Sequence, residues 1–141
     1  MIVLDTNVVS ETVRAQPAEA VMQWLERCTE PLALTSITVG ELLTGVHLLP
    51  VGKRRSALTS AIGRVLLHWA ICLPYDDTAA RIHAALREHA HRQGRGLSVE
   101  DGMMAAICAT HNARLATRNV SDFDFLPVPL VNPWEVENRP S

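Results

Sequence analysis

No run of apolar residues in this chain approaches the roughly 20 needed to cross a bilayer. Its start also lacks a basic region followed by an apolar stretch and a small-residue cleavage site. These absences exclude a membrane-spanning helix and make the cytoplasm the expected compartment. Cysteine is scarce. Cys28, Cys72 and Cys108 are odd in number and far apart, which excludes a disulfide framework and a zinc-ligand spacing. Cys72 and Cys108 sit among Ala, Ile and Leu and are expected to be small buried hydrophobes. A net charge of -2 and a pI near 6.3 give no global electrostatic footprint for nucleic acid. What basic character there is lies in Lys53-Arg54-Arg55 and in the scattered Arg92, Arg95, Arg114 and Arg118, read first as solvated helix ends and loops. Gly-rich phosphate loops, nucleophilic serine motifs and internal repeats are absent too. His89 and His91 stand two apart, not the four of a helical zinc pair, and are expected at the surface.

What is present is enough for one domain, 1–141, with a sizeable core: 48% of residues are hydrophobic and 20% charged, ordinary globular usage. Ile2-Val3-Leu4 is a continuous apolar run that stops on Asp5, as a buried parallel strand does. Short helices are expected over Val8–Val13 and from Pro17 to about Cys28, followed by a strand at Leu32-Ala33-Leu34. From Ile37 to Leu49 the residues Val39, Leu42, Leu43, Val46 and Leu49 recur with helical period. A further helix is expected from Lys53 to Trp69, then a strand at Ile71-Cys72-Leu73. Asp76 or Asp77 caps a helix to about Arg92, and Gln93-Gly94-Arg95-Gly96 reads as a flexible basic loop. Ser98 opens a buried helix with an acid three residues on and no charge from Met103 to Ala109, and strands follow at Arg114–Thr117 and Leu130-Val131. Helices alternating with short apolar strands indicate βαβ crossovers, hence a parallel sheet with helices on both faces.

Four polar positions carry the chemistry. Asp5 ends the first strand, where open α/β sheets bind ligands, or else it caps the next helix together with Thr6. Glu41 lies off the apolar stripe of its helix, on a face shared with Thr38 and Gly45; the glycine either makes room beside the carboxylate or is an indifferent surface residue. Asp101 heads the buried helix, as a site acid or as part of a capping box. Asn119 and Asp122 follow the fourth strand. Several converging carboxylates would repel unless cations joined them, and oxygen-only ligation suits Mg2+ or Mn2+. Such a site can activate water against a phosphodiester.

The ordered set Ile2-Val3-Leu4-Asp5-Thr6-Asn7, Ser36-Ile37-Thr38-Val39-Gly40-Glu41-Leu42 with Gly45, Glu100-Asp101 leading into Ala105-Ala106, and Thr117-Arg118-Asn119-Val120-Ser121-Asp122-Phe123 resembles the PIN-domain family. Within it the chain is similar to the VapC ribonuclease toxins of type II toxin–antitoxin systems, in their FitB-like branch. The match runs through the closing Asn132-Pro133-Trp134. The resemblance implies a three-layer α/β/α sandwich around a parallel sheet of four to five short strands. It also implies an endoribonuclease pocket binding Mg2+, or Mn2+, through Asp5 and Asp101, with Glu41 nearby. Its implied partners are RNA, a second copy of the chain, and a VapB-type antitoxin through which alone DNA is met. One departure is Asn119, where the family often has a fourth acid; Asn119 can still offer a carbonyl oxygen, and Asp122 stands three residues on. Thr6 can hold the Asp5 carboxylate or a water, while Arg118 and Arg95 are the candidates for RNA phosphate.

Two other readings remain. In one, Asn119 marks a degenerate module that grips a basic partner segment without cleaving RNA, against which the intact Asp5, Glu41 and Asp101 argue. In the other, Asp5 is a phosphatase nucleophile; such enzymes place a second acid two residues later, where Asn7 stands.

Overall fold

The computed structural model describes residues 1–135. Chain order runs β1 (Ile2–Leu4), α1 (Thr6–Thr12), α2 (Glu19–Arg27), β2 (Leu32–Thr35), α3 (Ser36–His47), α4 (Lys53–His68), β3 (Cys72–Leu73), α5 (Asp77–Arg92), α6 (Val99–Thr110), β4 (Arg114–Ala116) and β5 (Leu130–Val131). All three residues of β1 are buried, because this strand is covered on both faces. It pairs in parallel with β2 on one side, Ile2 opposite Leu32, and with β4 on the other, Ile2 opposite Arg114. The five strands are ordered β3-β2-β1-β4-β5, and every pairing is parallel.

Strand periodicity sorts the core into two layers. Val3, Ala33 and Leu115 point to one face and meet Leu86 of α5 and Met104 and Ile107 of α6. Ile2, Leu4, Leu34 and Ala116 point to the other, where Val8 and Val9 of α1, Val21 of α2, Leu42 of α3 and Ile62 of α4 pack. The result is the expected α/β/α sandwich. Every expected strand is found, and helix ends differ by a residue or two for identifiable reasons. α1 begins at Thr6 because Asp5 accepts the Thr6 N–H at 2.8 Å. α2 begins at Glu19, after Pro17, with no side-chain cap of its own.

Instead the Ala18 N–H at the head of α2 is taken by Glu11, at 2.9 Å, and Arg14 donates to the same carboxylate at 3.2 Å. The Ala18 bond, with the Arg14 guanidinium, holds the Glu11 carboxyl below its ordinary value of 4.5. Glu11→Ala is therefore expected to destabilise the protein by about 1–3 kcal/mol at neutral pH. A depressed carboxylate contributes stability above its unfolded pKa, and the contribution disappears as pH falls through the folded value. The melting temperatures of the two proteins should accordingly draw together as the pH falls below the ordinary carboxylate range; a constant gap would mean that the charge is not what matters.

Two expectations need correction. Cys72 is exposed, since β3 is a two-residue strand at the sheet edge with one face open. Cys108 is buried as expected, and burial pushes its thiol up to about 12. The Gln93–Gly96 segment is tied down, not loose. Gly94, at φ 64°, and Arg95 return N–H bonds to His91 and Ala90 in a Schellman turn. The Arg95 guanidinium then bonds the Ser121 carbonyl at 3.0 Å, pairs with Asp124 at 3.3 Å and stacks on Phe125. His89 is half-buried and bonds the Phe125 carbonyl at 2.8 Å, whereas His91 is at the surface.

Candidate active site

From β1 the chain moves outward to β2 and β3, then returns to lie on the opposite side of β1 as β4. At such a reversal the loops leaving the two central strands diverge and open a crevice at their carboxyl ends. Asp5 and Thr117 stand there. The Asp5 N–H donates to the Ala116 carbonyl at 2.9 Å, which continues the ladder to the lip of the crevice. The Thr117 hydroxyl donates to Asp5 Oδ2 at 2.7 Å and accepts the Asn119 N–H at 3.0 Å. Asn7 laces the same two loops: its amide nitrogen reaches Asp5 at 3.3 Å and its oxygen accepts the Arg118 N–H at 3.3 Å.

Asp5 thus both caps α1 and faces the crevice, so the two readings of this residue coexist. It is 9% exposed. Burial raises its carboxyl above the ordinary 3.8, against the pull of Thr117, Thr6 and Asn7, and the charge of Asp122 adds to the rise. Asp101 also has two roles. The Ser98 oxygen caps α6 by accepting the Asp101 N–H at 3.1 Å, and the Ser98 hydroxyl pulls the Asp101 carboxyl downward. Burial, then the charges of Asp5, Asp122 and Glu100, raise the Asp101 carboxyl.

Glu41 faces the same space from α3. Its carboxyl is raised by partial burial and by Asp5, Asp101 and Glu100, and the Thr6 hydroxyl steadies it. That hydroxyl lies 3.1 Å from the Thr38 hydroxyl, so Thr6 links the head of α1 to α3. Gly45 does not make room for Glu41, for a Cβ there would meet nothing within 4 Å.

Together these residues line a pocket of about 710 Å3. Of the expected set it contains Asp5, Thr6, Glu41, Asp101, Arg118 and Asn119. Asp122 lies outside the lining, in a 3-10 turn over Val120–Asp122, and acts on Asp5 and Asp101 only through its charge. Arg95 lies outside as well, occupied by the partners named above. Sequence reasoning missed Thr117 and Asn7 as braces, and Glu11, Glu100 and Trp134 as wall residues. An apolar strand that ends on a hydroxyl beside an acid-ending strand is the only signal that pointed to Thr117.

Among the described residues no three His, Cys, Asp or Glu side chains are gathered tightly enough to cage an ion by themselves. The donors are all oxygen, and they are spaced around an open pocket. That set fits Mg2+ or Mn2+, which keep several waters and bind through one or two carboxylates together with substrate phosphates.

A parallel α/β/α domain with an acidic, oxygen-only pocket at its switch point is the class that fold and site define. The profile of the PIN domain matches residues 2–125, and the chain belongs to the PIN-domain family. It is 41% identical over 138 residues to VapC ribonuclease Y4jK of Sinorhizobium fredii, covering 96% of this chain and 99% of that one. It is 39% identical over 137 residues to toxin FitB of Neisseria gonorrhoeae, covering 95% and 99%. The structure of FitAB bound to a DNA fragment superposes with a TM-score of 0.90 at 38% identity, covering 98% of this chain and 99% of that one.

Proposed function

We propose that the chain is a metal-dependent endoribonuclease, the toxin of a type II toxin–antitoxin pair, hydrolysing RNA phosphodiester bonds. The observation that carries the reading is the meeting of Asp5, Glu41 and Asp101, from three distant segments, in one pocket where the charge of Asp5 raises the carboxyls of both Glu41 and Asp101. Acids held in mutual repulsion are acids prepared for a cation. Kinship with proteins named VapC ribonuclease and toxin FitB supports the same conclusion.

In this reading Asp5 and Asp101 hold Mg2+, with Mn2+ as the substitute. The ion, when bound, supplies an activated water and neutralises charge on the phosphate. Thr117, Asn7 and the Thr6 N–H fix the Asp5 carboxylate so that it does not reorganise when a cation arrives. Glu41 completes the acidic ring. Asn119 offers an amide oxygen in place of a fourth acid, and Arg118, exposed at the rim, meets a phosphate.

The proposed protein partner is a VapB-type antitoxin, with DNA reached only through it, and the proposed assembly is a homodimer. An apolar groove of about 720 Å3 between α1, α2 and α4, walled by Met22, Leu25, Val65 and Trp69, suits an amphipathic segment of that antitoxin. Among the described residues no helix is long and apolar enough to cross a membrane.

The test is incubation of the purified chain, freed of antitoxin, with a mixed tRNA and rRNA pool and Mg2+, beside a chelator control. Cleavage that the chelator abolishes is the expected result. A folded chain that cuts nothing with Mg2+ or Mn2+ would favour the degenerate module that binds a basic partner segment, the reading to which Asn119 lends its one observation.

A further inference from the structure

Among the described residues, five of the twelve that line the acidic pocket are carboxylates, namely Asp5, Glu11, Glu41, Glu100 and Asp101, whereas Arg118 is its one cation. A polyanion entering such a pocket is opposed by charge, so part of its affinity must come from contacts that do not depend on charge. The lining holds one aromatic side chain, Trp134. Its position is fixed by the local turn: Asn132 Oδ1 accepts the Trp134 N–H at 3.0 Å, and Pro133 between them is buried. The guanidinium of Arg118 lies over the indole, 5.0 Å from its centroid, and among the described residues Arg118 makes no ion pair. A flat cation stacked on an indole, half-open to solvent beside a phosphate-accepting pocket, is a surface on which a splayed nucleobase stacks.

We propose that the Arg118–Trp134 pair is a nucleobase subsite, which seats an unpaired base of single-stranded RNA next to the phosphodiester presented to Asp5 and Asp101. The proposal rests on the RNA-cleaving reading of the pocket and goes beyond it. It makes stacking the contact that holds a nucleotide while the carboxylates act on its neighbouring phosphate. A stacked base also limits how the chain threads the pocket, since a base-paired nucleotide has no free face to offer.

The test uses the whole chain on a single-stranded oligoribonucleotide that the wild type cuts, and on the same oligonucleotide with an abasic residue at either side of the cleaved bond. Trp134→Leu keeps an apolar side chain against the core. It is expected to raise KM roughly 5- to 150-fold, and kcat should stay within about threefold, as loss of uniform binding requires. Trp134→Phe, which keeps a ring, should recover most of that loss. An abasic residue at one of the two positions should cost the wild type a similar factor in KM and cost Trp134→Leu nothing further. Additive losses, or an unchanged KM in a folded Trp134→Leu protein, would overturn the subsite. Should Trp134→Leu fail to fold, the abasic substrates on the wild type decide: no penalty at either position overturns it. A wild type that cuts no RNA removes the nuclease reading itself, whereas a wild type that cuts while Trp134→Leu is unaffected removes only the stacking.

Discussion

Asp101→Asn is expected to lower RNA cleavage by at least about a thousandfold, because on the proposed reading it removes a metal contact and with it several kcal/mol of transition-state stabilisation. The fold should survive. Asparagine keeps the volume and an oxygen for the Ser98 hydroxyl, and it removes a charge that faces Asp5, Asp122 and Glu100. Metal-free Asp101→Asn should therefore melt at or above the wild-type temperature. A carboxyl whose folded pKa is raised favours the folded state below its unfolded value and loses that contribution as pH climbs through the folded value. The melting difference should accordingly widen between acid pH and neutrality. Asp5→Asn should abolish cleavage too but melt lower, since an amide cannot accept all three bonds that now reach Asp5 from Thr117, Thr6 and Asn7. Full activity in either variant would take that residue out of the site. A clear fall in melting temperature for Asp101→Asn would make capping its main role.

Gly102→Ala should be nearly as damaging, by a different route. Gly102 follows Asp101 in the first turn of α6, and a Cβ there would lie 2.3 Å from Nε2 and 2.7 Å from Cδ2 of His83. His83 is buried on α5 and cannot simply swing away, because the Tyr75 hydroxyl holds its Nδ1 at 2.9 Å. Nε2 has no hydrogen-bond partner among the described residues, and burial, then Arg87, lower the imidazole pKa, so the ring that fits against the glycine is neutral. Overpacking of this kind costs about 1–3 kcal/mol even after local adjustment, or roughly 3 to 10 °C of melting temperature. If α6 gives way instead of the ring, Asp101 moves with it, and a shift of about 1 Å costs on the order of a hundredfold in rate. The control is the same substitution in a His83→Ala background. There the methyl has space and alanine exceeds glycine in helix propensity by about 1 kcal/mol, so the change should be neutral or stabilising. Equal losses in both backgrounds would place the strain elsewhere than the imidazole.

Much of the fold could be read in advance because its strands announce themselves. Ile2-Val3-Leu4, Leu32-Ala33-Leu34 and Leu130-Val131 are apolar runs bounded by polar or proline residues, and helices of clear period separate most of them. Asp5, Glu41, Asp101 and Asn119 were legible as candidates since each ends a strand or sits oddly on a helix. Their meeting was not, for spacing along a chain carries no distance across a sheet, and it was family resemblance that joined them. Thr117 and Asn7 escaped notice because a threonine or asparagine near a strand end has many uses; only the pairing of β1 with β4 turns them into supports for one carboxylate. Arg95 misled in the opposite sense. Its loop has the composition of a mobile basic segment, but Asp124, Ser121 and Phe125, nearly thirty residues later, hold the guanidinium. The Tyr75–His83–Gly102 contact had no sequence signal, because packing between α5 and α6 decides it.

The bond between Thr117 and Asp5 joins residues 112 positions apart. A chain being synthesised carries Asp5 and Glu41 long before β4, but it cannot build the crevice until β4 has left the ribosome and aligned beside β1. Translation that stalls or terminates early therefore releases fragments with acids but without a pocket. The pocket thus comes together only when the chain has run 112 positions beyond its first acid, and that delay is written into the order of the strands.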